Sequence, residues 1–215
     1  MKIKKQNWTS FLITGSSVSL LTDPQELKKS GLSFAKVKAD VVLFSDPNLI
    51  LKERILKKEG LEKKVVPDKR KRIMEINSAG EFEIGGLMIR RDLKSNIYII
   101  DEQNLRVVYL GMINNNFDVD LTKDLGDVDV LIVPIGNGDQ FIDYDKLEKI
   151  ISNIDPQILI PCGYKEKGLK IGKGMKTKED FIKYFGFPNV SEENYLTVKP
   201  KKSEREGAPM EVIVL

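Results

Sequence analysis

Ala39-Asp40-Val41-Val42-Leu43-Phe44-Ser45-Asp46-Pro47-Asn48-Leu49-Ile50-Leu51 is the stretch whose reading decides the architecture. Val41 to Phe44 form an apolar run that predicts a buried strand. It passes without a break into Ser45-Asp46-Pro47-Asn48, which has the composition of a turn. Asp and Asn bond nearby backbone, and Pro fixes φ at the second position. A rigid strand that delivers a polar loop is how layered α/β proteins present their chemistry. This loop offers a carboxylate and an amide, but no imidazole and no thiol.

Working outward, residues 8–13 and 18–21 predict two strands joined by Thr14-Gly15-Ser16-Ser17, with Asp23-Pro24 closing the second. Residues 25–32 read as a short helix or an irregular excursion. Downstream, 51–58 predict a helix with Ile55 and Leu56 turned inward. Short strands follow at 73–76, 80–84 and 87–91, the last two joined by a Gly85-Gly86 hairpin. Phe82 and Ile84 alternate with Glu81 and Glu83, the period of a strand with one buried face. A second hairpin pairs 97–100 with 105–110, and 118–125 predict a short helix. The near-continuous apolar run 128–135 predicts a central strand covered on both faces. In 143–154, Leu147, Ile150, Ile151 and Ile154 share one helical face. Residues 157–160 predict a strand stopped by Pro161, and 178–185 a helix ended by Gly186. Strands at 195–199 and 211–215 close the chain. Two packed sheets with helices outside would bury all these faces, as one domain spanning 1–215.

Composition narrows the chemistry. A hydrophobic content of 41% beside 31% charged residues suits a water-exposed globular chain. No apolar run approaches the ~20 residues of a membrane span, and the basic start is followed by no signal-peptide core, so a cytoplasmic protein is expected. The single cysteine, Cys162, allows neither an intrachain disulfide nor a thiolate metal cluster. There is no histidine at all, which excludes Ser-His-Asp triads, Cys-His pairs and His-ligated metals. Without histidine, activation of Cys162 would depend on Lys165, Lys167 or a helix N-terminus.

The order of elements resembles the metallo-β-lactamase superfamily, in its small single-domain metal-dependent hydrolase-like branch. The resemblance rests on Trp8-Thr9-Ser10-Phe11-Leu12-Ile13, Leu20-Leu21-Thr22-Asp23-Pro24 and Ala39 to Ser45, followed by Gly80-Glu81-Phe82-Glu83-Ile84-Gly85-Gly86. It continues with Leu105-Arg106-Val107-Val108-Tyr109-Leu110-Gly111, Asp129-Val130-Leu131-Ile132-Val133-Pro134-Ile135-Gly136 and Ile158-Leu159-Ile160-Pro161. It implies a four-layer αββα sandwich of two mixed β-sheets with helices on the outer faces, and in active members a two-metal zinc site at one edge. The family's H-x-H-x-D-H loop falls on Asp46, Asn48, Ile50 and Leu51. Its bridging aspartate falls on Met112, its last histidine at Gly163, an early one on Trp8, and a middle one near Asp92 or Leu93. Ile50, Leu51 and Met112 are no ligands for a hard cation, and Gly163 offers no side chain. The resemblance therefore implies a member whose metal positions are vestigial, with no cofactor expected and Trp8, Ile50, Leu51 and Met112 packed where metals would sit.

Three functional expectations follow. The first is a non-catalytic protein of this fold, kept for binding or as an assembly subunit, with a protein partner or a second copy of itself. The second is a hydrolase using a reduced oxygen-ligand site for Mg²⁺ or Ca²⁺, built from Asp23, Asp46, Asn48 and Asp92; the turn chemistry of Asp23-Pro24 and Asp46-Pro47-Asn48 explains the same residues without metal. The third is binding of nucleic acid or another polyanion through basic segments. Residues 52–72 hold ten Lys or Arg against four acids, with no aromatic side chain to stack on bases. Residues 165–178 interleave glycines with lysines, and Lys165, Lys167, Lys170, Lys173 and Lys176 are expected to hold anions, although no nucleotide P-loop pattern is present.

Overall fold

The computed structural model describes residues 1–26, 31–46, 55–92, 97–170, 172–199 and 209–215. From the N-terminus, β1 (Lys2–Asn7), β2 (Ser10–Thr14) and β3 (Ser19–Thr22) form an antiparallel meander. A short β4 (Val37–Lys38) leads into β5 (Val41–Leu43), then α1 (Ile55–Lys58), β6 (Val65–Val66) and β7 (Met74–Ile76). Two hairpins follow: β8 (Gly80–Ile84) with β9 (Leu87–Arg91), and β10 (Tyr98–Glu102) with β11 (Leu105–Tyr109). After a 3₁₀ turn at Val119–Thr122 come β12 (Val130–Pro134), α2 (Tyr144–Ile154), β13 (Ile158–Cys162) and α3 (Lys178–Phe185). The chain closes with β14 (Val190–Glu192), β15 (Leu196–Thr197) and β16 (Glu211–Val214).

Among the described residues, one sheet runs β15-β1-β2-β3-β5-β7 and the other β14-β16-β13-β12-β11-β10-β9-β8, while β4 and β6 form a separate pair. In each large sheet an antiparallel part adjoins a parallel one: β3-β5-β7 in the first, β11-β12-β13-β16-β14 in the second. The parallel strands read as unbroken apolar runs because both of their faces are covered. Leu20, Val41, Leu43, Val130 and Ile132 point into the core between the sheets. Leu131, Val133 and Leu159 point the other way, beneath Leu147 and Ile150 of α2 and Phe181 of α3. Leu21 and Val42 meet Ile55 and Leu56 of α1 on the first sheet's outer face. This is the expected αββα layering, with mixed sheets and outer helices.

Three expectations about the elements need correction. Trp8 does not open a strand: it sits with Thr9 in the tight turn between β1 and β2. The strand before it, β1, escapes pattern reading because Ile3 is its one apolar residue. It is held by backbone pairing on both sides, to β2 and to β15. Pro161 does not stop β13, which continues to Cys162 with Pro161 opposite Val133. On its other side β16 pairs only with Ile158 and Leu159, so no neighbour there needs the N–H that proline lacks. The helix expected over 143–154 is present as Tyr144–Ile154, preceded by an extended Asp143 and ended by Asp155 in the left-handed region. That over 118–125 shrinks to the 3₁₀ turn. Residues 27–30 of the 25–32 excursion, Pro47 and Asn48 of the expected turn, and 51–54 of the helix expected over 51–58 lie outside the described residues.

Candidate functional site

The parallel strands of both sheets end at one edge of the sandwich, and the segments after β3, β5, β11, β12 and β13 meet there. Two groups of residues fill this edge. The first is polar and buried. Asp23, directly after β3, has its backbone bent to φ 32° and is only 4% exposed. Ser45, after β5, donates its backbone N–H to Asp23 Oδ1 at 2.6 Å and its hydroxyl to Asp23 Oδ2 at 2.5 Å. The Tyr109 hydroxyl lies against Asp23 Oδ2 and against the Thr9 carbonyl, 3.1 Å away. The Met112 N–H donates to Ser45 Oγ at 3.1 Å. Burial pushes the Asp23 carboxyl above its usual range, outweighing the Ser45 and Tyr109 hydrogen bonds and the charge of Arg91. Arg91 Nη1 donates to the Phe44 carbonyl and the Tyr98 hydroxyl, each at 3.1 Å, tying the end of β5 to the second sheet.

The second group is apolar. Trp8, Leu32, Phe141 and Met175 form a buried cluster, with Met112 and Leu169 packed at its border. Trp8 and Phe141 meet edge to face with ring centroids 5.3 Å apart. The indole N–H, a donor only, is satisfied by the Tyr164 carbonyl at 3.0 Å. Gly163 donates its N–H to the Trp8 carbonyl at 3.0 Å. It holds φ at +61°, and a Cβ there would come within 2.8 Å of Phe141 Cζ. Glycine is thus required both by the backbone and by the ring packed over it.

The positions named from the sequence are distributed as follows. Trp8, Met112 and Gly163 do come together at this edge. Asn48, Ile50, Leu51 and Leu93 lie outside the described residues. Of the four residues expected to form an oxygen-ligand site, Asp23 is consumed by its bonds to Ser45, Asp46 is half-buried, Asp92 is exposed, and Asn48 is not described. Among the described residues no three His, Cys, Asp or Glu side chains gather as a metal would require. Cys162 is fully buried between the sheets and burial pushes its thiol far up, which leaves it inert as a nucleophile.

The second basic segment meets acids. Lys165 and Lys167 line an open groove of about 780 Å³ with Glu166, Glu179, Glu192 and Glu193. Lys5 crosses its floor, donating to Glu166 Oε1 at 2.6 Å and to the Tyr164 hydroxyl at 3.0 Å, and Lys178 pairs with Glu192 at 2.5 Å. Lys170, Lys173 and Lys176 are exposed and do not line that groove. Phe141, Met175, Leu32, Tyr109 and Ser45 were not singled out from the sequence. The one available signal was Met175, an isolated large apolar residue in an otherwise polar, Gly- and Lys-rich loop.

Fold and edge together define a metallo-β-lactamase-like sandwich in which packed side chains occupy the edge where the parallel strands end. Residues 2–163 match the family model described as the beta-lactamase superfamily domain, and the chain belongs to that family. Its structure is similar to that of a candidate zinc-dependent hydrolase of the metallo-β-lactamase superfamily from Thermotoga maritima. The match has a TM-score of 0.73 and 22% identity, and covers 100% of this chain and 98% of that one. A candidate metal-dependent hydrolase from Veillonella parvula matches with a TM-score of 0.61 and 11% identity, over 92% and 99% of the two chains. A metallo hydrolase from Ignicoccus hospitalis matches with a TM-score of 0.51 and 16% identity, over 79% and 85%. At these identities the likeness shows the fold. No curated protein matches the chain. Among the described residues no helix is long and apolar enough to cross a membrane.

Zinc is bound by imidazole, thiolate or carboxylate at roughly 2.0–2.3 Å. Asp46 and Asp92 carry carboxylates, but among the described residues they do not gather with a third ligand, and the other described ligand positions do not fit zinc. Trp8 presents an N–H that is already donated, Gly163 has no side chain, and Met112 offers only a thioether contacted by the Gln25 amide at 3.9 Å.

Proposed function

We propose that this protein is a non-catalytic member of the metallo-β-lactamase superfamily, working by binding or as a subunit of an assembly. One observation carries the reading. Trp8, Phe141, Met175 and Leu32, with Met112 beside them, fill the strand-end edge with close-packed apolar side chains, and Gly163 is held to glycine by that packing. Such a cluster excludes water and provides no group that would activate it. The buried carboxylate nearest to it, Asp23, spends its acceptor capacity on Ser45 and Tyr109 and so acts as a structural pin.

The test joins metal analysis to hydrolysis. The chain is purified, equilibrated with Zn²⁺, Mg²⁺ or Mn²⁺, desalted, and measured by plasma mass spectrometry. It is then assayed on ester, thioester and phosphodiester substrates beside an active member of the superfamily. The expected result is metal far below one ion per chain and hydrolysis at the buffer rate. Stoichiometric metal, together with hydrolysis that a chelator removes and Asp46→Ala abolishes, would favour the oxygen-ligand hydrolase and overturn this reading.

A further inference from the structure

The opposite end of the sandwich carries an arrangement that the strand-end edge does not explain. Asp40 precedes β5 and is fully buried. Its Oδ1 accepts the backbone N–H groups of Lys69 at 2.8 Å and Arg70 at 2.7 Å. Its Oδ2 accepts the N–H of Ser19 at 3.2 Å and the Ser19 hydroxyl at 3.1 Å. The segment is tied again on either side. Ala39 donates its N–H to the Val66 carbonyl at 2.9 Å, and Met74 donates its own to the Asp40 carbonyl at 2.9 Å. The backbone of the Lys69-Arg70-Lys71-Arg72 loop is therefore fixed to the sheet by a buried carboxylate.

The side chains are not fixed to anything acidic. All four are exposed, and among the described residues none of Arg70, Lys71 and Arg72 has a carboxylate partner. Asp68, the one acid in residues 65–72, is turned to the Ser19 hydroxyl at 3.1 Å. Lys36 and Lys38 extend the charge. They flank the buried Val37 on β4, which pairs with β6 immediately before the loop, so both face outward. Lys69 Nζ donates to the Ser16 carbonyl at 3.2 Å, whereas Arg70, Lys71 and Arg72 are left without a carboxylate. Adjacent like charges repel, and a structure that anchors their backbone in this way is organised for an external anion.

Charge and composition name the class of anion. Residues 68–72 run through a bend, which gathers Arg70, Lys71 and Arg72 in one short segment where several phosphates of a polyanion can be neutralised together. Residues 55–76 contain no Phe, Tyr or Trp, so this segment itself offers no platform to stack an unpaired base. A duplex, with its bases paired inside and its phosphates outside, needs none. We infer that the Asp40-anchored loop Lys69-Arg70-Lys71-Arg72, with Lys36 and Lys38, binds the phosphate backbone of a nucleic-acid duplex without reading sequence. This surface lies at the other end of β3 and β5 from Trp8, so it stands or falls separately from the reading of that edge.

The test is fluorescence anisotropy of labelled DNA and RNA duplexes of mixed sequence, titrated with the full chain across a salt series. Sequence-independent binding is expected, with a Kd of about 10⁻⁶–10⁻⁴ M and log K falling against log salt with a slope near −3. The triple variant Arg70→Glu, Lys71→Glu, Arg72→Glu should weaken binding at least tenfold while its circular dichroism and melting temperature stay those of the parent. Lys165→Gln with Lys167→Gln, in the acid-lined groove, should leave it unchanged. A slope near zero, equal binding by the triple variant, or preference for a single strand of the same sequence would each overturn the proposal. So would equal occupancy by inorganic tripolyphosphate at matched phosphate concentration, or tighter partition onto phosphatidylserine vesicles than onto duplex.

Discussion

β3 and β5 lie side by side and parallel, and each end of the pair is closed by the same device. At one end Asp23, after β3, accepts the backbone N–H and hydroxyl of Ser45, which follows β5. At the other Asp40, before β5, accepts the backbone N–H and hydroxyl of Ser19, which opens β3. The surroundings then separate them. Asp23 faces Tyr109 and a dry cluster built on Trp8, and burial drives its carboxyl up. Asp40 is also penalised by burial, but the N–H groups of Arg70, Ser19 and Lys69 and the Ser19 hydroxyl outweigh it and hold its carboxyl below the usual range. The same Asp–Ser clasp thus serves core packing at one end and loop presentation at the other. What it does is decided by what lies beyond the serine.

The largest effect should come from breaking the dry end. Trp8→Ala removes the ring that meets Phe141 and should cost about 4 kcal/mol in urea unfolding. A loss below about 1 kcal/mol would mean that the edge is not core. Asp23→Ala leaves the Ser45 N–H and hydroxyl without their acceptor and the Tyr109 hydroxyl with the Thr9 carbonyl alone, and should cost roughly 3 kcal/mol. Asp23→Asn should recover most of that, because the charge it removes was disfavoured by burial. At the wet end the order reverses. Asp40→Ala should cost about 2 kcal/mol, and Asp40→Asn nearly as much, since both oxygens of Asp40 accept two donors each. Equal rescue by asparagine at both ends would dissolve the distinction.

The smallest effect is in pH dependence, and its sign differs between the ends. The ordinary Asp value is 3.8. For Asp40 the folded value lies below that. Its contribution is complete above pH 3.8 and is lost as pH falls from there through the folded value. For Asp23 the folded value lies above. Over the interval between 3.8 and that value the native chain holds more protons than the unfolded one, so stability falls as pH rises. Unfolding midpoints measured through the acid range should therefore lose their low-pH decline in Asp40→Asn and their decline above pH 3.8 in Asp23→Asn.

Much of the layering was legible in the sequence, because strands covered on both faces must be continuously apolar. Val41–Leu43 and Val130–Pro134 announce themselves in that way. β1 does not, since pairing with β2 and β15 holds it rather than side-chain pattern. At the strand-end edge, Trp8, Met112 and Gly163 were found by laying the family's ligand positions on the chain. Phe141 and Met175 were not, because their loops reach the edge only through tertiary packing. The clasps were equally hidden: Asp23 and Ser45 each have a complete local explanation as turn residues, and nothing local shows that they bond to one another. Of the two basic segments, residue types alone could not say that one is threaded with Glu166, Glu179, Glu192 and Glu193, while in the other Arg70, Lys71 and Arg72 meet no carboxylate among the described residues.

The pairing of β1 with β15 sets Ile3 against Leu196, so the first sheet is closed by residues almost two hundred positions apart. The indole of Trp8 likewise waits for Tyr164. Loop closure over such separations is slow and must precede the contacts that reward it. During synthesis the first strand, rich in lysine, will emerge with its partner on one side still unmade, and the aromatic plug will remain open until most of the chain has been translated. The lysines at positions 2, 4 and 5 then have a kinetic use: they keep an unpaired edge soluble while it waits.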